Sequence, residues 1–251
     1  MIDEPAPITE HLGELRRRIF WILLVMLVFS VAAWSYAEQI FLFLMDPAVK
    51  ALGERSARLQ AISPTETFLT YLKCALLAGF ICSLPVIFWQ VWAFVAPGLY
   101  DSERRAIIPF VLVSTVLFIG GAMFGYTLVF PVVFQFLSGF SSELVDQAWS
   151  MREVFSATTH MFLAFGVAFE LPVVVFFLAL SGILTPMQLL RATPYAILVI
   201  FVVAAILTPP DALSQVMLAV PMLTLYLLGV GVAFLVAPRR PEPEAQTSHV
   251  E

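Results

Sequence analysis

The residues best placed to do chemistry are three glutamates in three settings. Glu14 and Glu103 each sit just ahead of arginines, in EHLGELRRR before the first apolar run and in APGLYDSERR between two others. A carboxylate accepts a guanidinium fork in a way that it cannot accept an ammonium, so two such acids could read two arginines. The opposing reading is that each acid is a solvated charge paired with its own neighbours, as Glu14 and Arg18, four apart, could be. Glu170 is different. It lies within FLAFGVAFELPVVVFFLAL, Phe162 to Leu180, with no Lys or Arg beside it. An acid at mid-membrane costs roughly 2.5 to 3.5 kcal/mol, so it should face a partner or a wet cavity and not lipid. Gly166, one turn earlier on the same face, leaves room for another helix, and Pro172 disturbs the backbone ladder just beyond. A polar docking point, a structural contact to a neighbouring helix and a proton or ion site are the three readings of Glu170.

Other chemistry finds no support. There is no His-Glu-x-x-His pair, no Gly-x-Ser-x-Gly elbow and no phosphate-cradling glycine loop. His11, His160 and His249 have no ligand neighbours at useful spacing. We expect no catalytic site, no metal and no cofactor. Cys74 and Cys82 fall eight apart on one expected helix, about 12 Å along it, too far for a mutual disulfide.

The elements that carry these residues are membrane spans. The 251 residues are 61% hydrophobic and only 12% charged, too little polar surface for a soluble domain. A net charge of −5 argues against nucleic acid. Apolar runs predict an all-α integral membrane protein with six transmembrane helices, at about 19–36, 71–94, 106–130, 157–180, 194–207 and 212–237. Residues 1–237 form one six-helix domain, and 238–251 reads as a disordered tail. The fifth run is short: fourteen residues cover about 21 Å, against a core of about 30 Å.

Ile8, Leu12 and Leu15 mark a short amphipathic helix before the first span, and Ile40 to Leu52 a surface helix after it. Arg16, Arg17, Arg18, Arg104, Arg105, Arg191, Arg239 and Arg240 fall on one side, which places both termini in the cytoplasm. Lys50, Arg55, Arg58 and Arg152 fall on the other side, against the rule. The basic start followed by an apolar run also imitates a cleavable signal, ending near Ser35-Tyr36-Ala37. Five further spans make an anchored first helix the simpler account.

Five stretches carry a resemblance: HLGELRRR at His11 to Arg18, SPTETF at Ser63 to Phe68, QVWAFVAPGLYDSERR at Gln90 to Arg105, FGVAFELPVV at Phe165 to Val174 and LTPPDALSQ at Leu207 to Gln215. With these in order, the chain resembles the TatC family, the multi-span subunit of the twin-arginine protein translocase, from about Ile8 to Val236. Gly53 to Ala61 and the tail depart from it. The resemblance implies a receptor in the bacterial cytoplasmic (inner) membrane that binds twin-arginine signal peptides of folded cargo. It implies partners of the single-span TatA and TatB type in an oligomeric complex, surrounding lipid, and movement driven by the proton-motive force. It places arginine recognition on Glu14 and Glu103, with Arg16, Arg18, Phe94 and Arg105 nearby. It places contact with a partner's helix on Glu170 and Gln215, and an outer structural role on Pro64, Glu66, Phe68 and Asp211. The alternative from the residues alone is a secondary transporter or proton-coupled permease with Glu170 as its titrating group.

Overall fold

The computed structural model describes residues 8–52, 59–95, 107–140, 148–207 and 212–236. In apolar surroundings a backbone must satisfy its own N–H and C=O groups, and among these residues it does so almost wholly as helix. α1 spans Ile8–Ala33 and passes through a 3-10 turn at Trp34–Tyr36 into α2, Ala37–Leu52. The surface helix expected before the first span is therefore the start of that span: nothing between Leu12 and Ile19 but Gly13 weakens the ladder. α2 is the helix expected in the first connection, but it does not merely lie on a surface. Phe41, Leu44, Met45 and Ala48, at i, i+3, i+4 and i+7, are buried in the core.

α3 (Pro64–Val95) starts seven residues before the expected crossing, with Pro64 at its first position, where a missing N–H costs nothing. Its 32 residues reach about 48 Å, so one end must project past a core of about 30 Å. α4 (Ile107–Phe124) widens into a π turn at Gly125–Val129 and continues as α5 (Phe130–Ser138). Pro131 explains the widening, because its ring clashes with the carbonyl four residues back and donates no bond. α6 (Met151–Ala168) ends in a turn at Phe169 and Glu170, and α7 (Leu171–Leu180) follows with Pro172 in its first turn. α8 (Pro186–Arg191) is closed by a reciprocal capping box between Thr185 and Gln188. α9 (Thr193–Leu207) is the short one, and α10 (Ala212–Val236) is the last. Five helical stretches are long and apolar enough to cross a membrane, and α9 is the shorter sixth.

Glycines set the closest approaches. A Cβ on Gly79 of α3 would lie 2.0 Å from Ser30 Oγ of α1. Gly121 and Gly125, four apart, lie against Phe165 of α6 and, at Gly121, Phe169 of the turn that ends it. Gly166 does admit another helix: it is α4, whose Phe118 ring fills the space. Phe130 and Phe134 of α5 and Phe165 of α6 are among the largest fully buried side chains. Cys74 is buried and Cys82 exposed on the same helix, both as free thiols.

Candidate functional site

The pole where α1 begins and α3 ends carries the first acid. Arg18 donates from Nε (3.0 Å) and Nη2 (2.5 Å) to Oε1 of Glu14, one turn earlier on α1. The same guanidinium crosses to α3, where Nη1 donates to Gln90 Oε1 at 3.0 Å and Nη2 to the Ala93 carbonyl at 3.2 Å. All the described bonds to Glu14 fall on Oε1; among the described residues nothing donates to Oε2. Glu14 is partly open, with its side chain 38% exposed against 19% for Arg18. So the expected local pair is present, and one of its partners clasps a second helix 72 residues away. Phe94 is half-buried beside Ala93, and Arg16 is exposed on the outer face of α1. Glu103 and Arg105 lie outside the described residues. Gln90 is not among the residues that the sequence points to; its place at the head of QVWAF, before the acid loop, is the one signal for it.

Glu170 sits in the break between α6 and α7, about two-thirds of the way along their combined 30-residue stretch. Its Oε1 is buried and has no hydrogen-bond partner among the described residues. Ser114 of α4 is the neighbouring hydroxyl; it accepts from Trp92 Nε1 at 3.2 Å and keeps its own O–H to donate toward the Glu170 carboxyl. Two residues on, Pro172 and Val173 line an apolar cavity of about 400 Å³ with Pro109, Phe110 and Val113 of α4. A buried polar atom left unpaired costs about 1–3 kcal/mol, which a donor from outside the chain would recover. Gln215, on α10, spends its Nε2 on the Phe201 carbonyl of α9 at 3.0 Å, so its bond here ties two helices of this chain.

At the opposite pole Glu66 fastens two connections together. Oε2 accepts from Ile62 N (2.7 Å) and Ser63 N (3.3 Å), and Oε1 accepts from Arg152 N (2.7 Å) and Ser150 Oγ (3.2 Å). Gln60 adds a two-way backbone bridge, donating to Trp149 O and accepting from Met151 N, both at 2.9 Å. Phe68 is exposed and meets Trp34 edge-on at 5.8 Å. Asp211 lies outside the described residues. Glu66→Ala should lower the thermal unfolding temperature of the purified protein clearly more than Glu66→Gln, which keeps one acceptor oxygen. Equal losses would mean that the carboxylate's charge, and not its four-way acceptance, holds this pole.

The sequence model of the TatC family, described as Sec-independent protein translocase protein, matches residues 10–221. This chain belongs to the TatC family. It is 43% identical to Sec-independent protein translocase protein TatC of Koribacter versatilis over 242 residues, 94% of this chain and 89% of that one. It is 42% identical to the TatC of Desulforapulum autotrophicum over 228 residues, 91% of this chain and 84% of the relative. The solved structure titled Crystal Structure of Twin Arginine Translocase Receptor- TatC superposes with a TM-score of 0.79 at 37% identity, over 90% of this chain and 98% of that one. Membership makes the chain a receptor subunit of the twin-arginine translocase, a multi-pass inner-membrane protein and not an enzyme. The permease alternative falls with that assignment.

Proposed function

We propose that Glu14 and Glu103 together hold the paired arginines of a signal peptide, on the cytoplasmic side, at the pole where α1 begins and α3 ends. The observation that carries this reading is the state of Glu14: Oε1 is clasped by Arg18, while Oε2 takes no bond from a described residue and the side chain is partly open. A half-engaged carboxylate is held in place and still able to accept a second guanidinium. Phe94 follows Ala93, whose carbonyl accepts from Arg18, and the loop bearing Glu103 and Arg105 comes next in the chain after α3. Arg16 is available from the same turn of α1. Both chain ends lie on this side, with movement of folded cargo driven by the proton-motive force. A photoreactive residue in place of Glu103 should crosslink a twin-arginine peptide in membranes, and excess unlabelled Arg-Arg peptide should abolish the product. A crosslink unaffected by that competitor would remove Glu103 from the site.

Glu170 and Gln215 serve assembly with single-span partners of the TatA and TatB type. The buried Oε1, without a hydrogen-bond partner among the described residues, and the apolar cavity that begins two residues later at Pro172 support a partner transmembrane helix with one hydrogen-bond donor and an otherwise apolar face. Glu170→Gln keeps size and acceptor and removes titration, so it should retain substantial transport, whereas Glu170→Ala should lose partner crosslinks. A Gln variant as inactive as Ala, with crosslinks intact, would point to proton chemistry at this position.

A further inference from the structure

Lys73 is the cation that nothing so far explains. It sits inside an apolar stretch of α3, between Leu72 and the buried Cys74 and Ala75, about 13 Å along the helix from Pro64. Helical side chains lean toward the N-terminus of their helix, and here that end is the Glu66 pole, so the long stem carries the ammonium upward. Glu66, Thr70 and Lys73 stand at i, i+4 and i+7 on one face of α3. With Ser63, Thr65 and Arg152 they line a polar pocket of about 200 Å³. Among the described residues the ion pairs are Glu14 with Arg18 and Asp46 with Lys50; neither Lys73 nor the Arg152 guanidinium has one. Glu66, the one carboxylate in the pocket, is spent on four donors, and from Arg152 it takes the backbone N–H. Glu153 lines a different cavity with Phe134 and Trp149. Two cations and one engaged anion leave the pocket a single positive charge. Below it α3 exposes Phe68, Leu69, Leu72 and Leu76 as an apolar track into the bilayer.

We propose that this pocket binds the phosphodiester of a membrane phospholipid, in the leaflet at the Glu66 pole, with Lys73 and Arg152 as the charged contacts, the one free O–H of the Ser63–Thr65 hydroxyl pair (3.1 Å apart) as a donor, and an acyl chain along α3. A phosphodiester carries the one negative charge that the pocket lacks. A lysine flanked by exposed Leu69, Leu72 and Leu76 on a membrane-crossing helix meets a lipid headgroup more readily than a free anion. The same contact gives Arg152, a cation on the side that the charge rule disfavours, a counter-ion in the membrane itself.

The test uses the full chain in delipidated detergent, titrated with phosphatidylglycerol and read by native mass spectrometry. We expect one tight adduct. Lys73→Gln combined with Arg152→Gln should weaken it about ten-fold or more, and Lys73→Arg should retain it. Lys73→Gln alone, at an exposed position, supplies the same comparison at smaller amplitude if the double variant does not fold. Diacylglycerol, which lacks the phosphate, should give no tight adduct, and inorganic phosphate should not displace the lipid. Equal affinity in the Gln variants, equal binding of diacylglycerol, or displacement by inorganic phosphate would each overturn the proposal, the last by making this a free-anion site.

Discussion

Glu14→Ala should weaken an Arg-Arg signal peptide by roughly 10- to 150-fold, and a Lys-Lys peptide far less. The range follows from losing one charge-assisted hydrogen-bonded pair, worth roughly 1.5 to 3 kcal/mol. The contrast between peptides follows from shape: guanidinium presents parallel donors that a carboxylate accepts together, and ammonium keeps the charge but lacks the fork. The variant also frees Arg18, whose bonds to Gln90 and Ala93 should keep it on α3, so the helix pair should survive. Glu14→Gln should fall between, because it keeps the acceptor and loses the charge. Binding to membranes at moderate salt gives the measurement, since an open ionic site is partly screened. If both peptides weaken equally, Glu14 supplies only diffuse charge, and recognition has to be sought on other residues. Losses at Glu14 and Glu103 need not add, because both acids would grip the same two arginines.

Gly79→Leu should damage signal binding as severely without touching a charged group. α1 packs along α3 and against little else, and the two helices meet most closely where Ser30 faces Gly79. Ser30 N and Cα lie 2.7 and 2.8 Å from where a Cβ would stand, so the obstacle is backbone and cannot rotate away. Overpacking of this kind typically costs about 1–3 kcal/mol, and a side chain pushed against backbone belongs at the upper end. A helix displaced there carries Glu14 and Arg18 away from Gln90 and Ala93. Gly231→Leu on α10, where nothing lies within 4 Å of the added atom, is the matched control and should leave both binding and stability unchanged. Disulfide trapping between positions on α1 and α3 reads the displacement directly. Normal binding in a stable Gly79→Leu protein would show that the pole does not depend on this contact.

The six crossings were legible because long apolar runs have few other fates, and the break at Glu170 because Pro172 announces it. The burial of α2 was less so. Its apolar positions are helical in spacing, but the core they enter is built by α5 and α6, nearly a hundred residues later. Pairings between distant segments were not legible at all. Arg18 could be seen to reach Glu14, four residues away, but not Gln90, since nothing local marks which distant amide completes a guanidinium. Glu66 stands out in the sequence only through the SPTETF stretch that carries it. Its partners are mostly backbone N–H groups, which every residue but proline offers, so no residue type betrays them.

That last arrangement has a consequence for the order in which the protein can be made. Glu66 and the donors at Ser150 and Arg152 are separated by 84 and 86 residues, while Ile62 and Ser63 are its immediate neighbours. During synthesis the first three apolar stretches are complete well before residue 150 leaves the ribosome. Until then the carboxylate can be only half satisfied, by its own turn. The knot closes when the start of α6 reaches the same face of the membrane as the start of α3, and a chain that inserted α6 the wrong way round would leave Glu66 without half its donors and Gln60 without its bridge. The carboxylate that fixes the finished pole can therefore be fully satisfied only once the fourth stretch has gone in with the correct polarity.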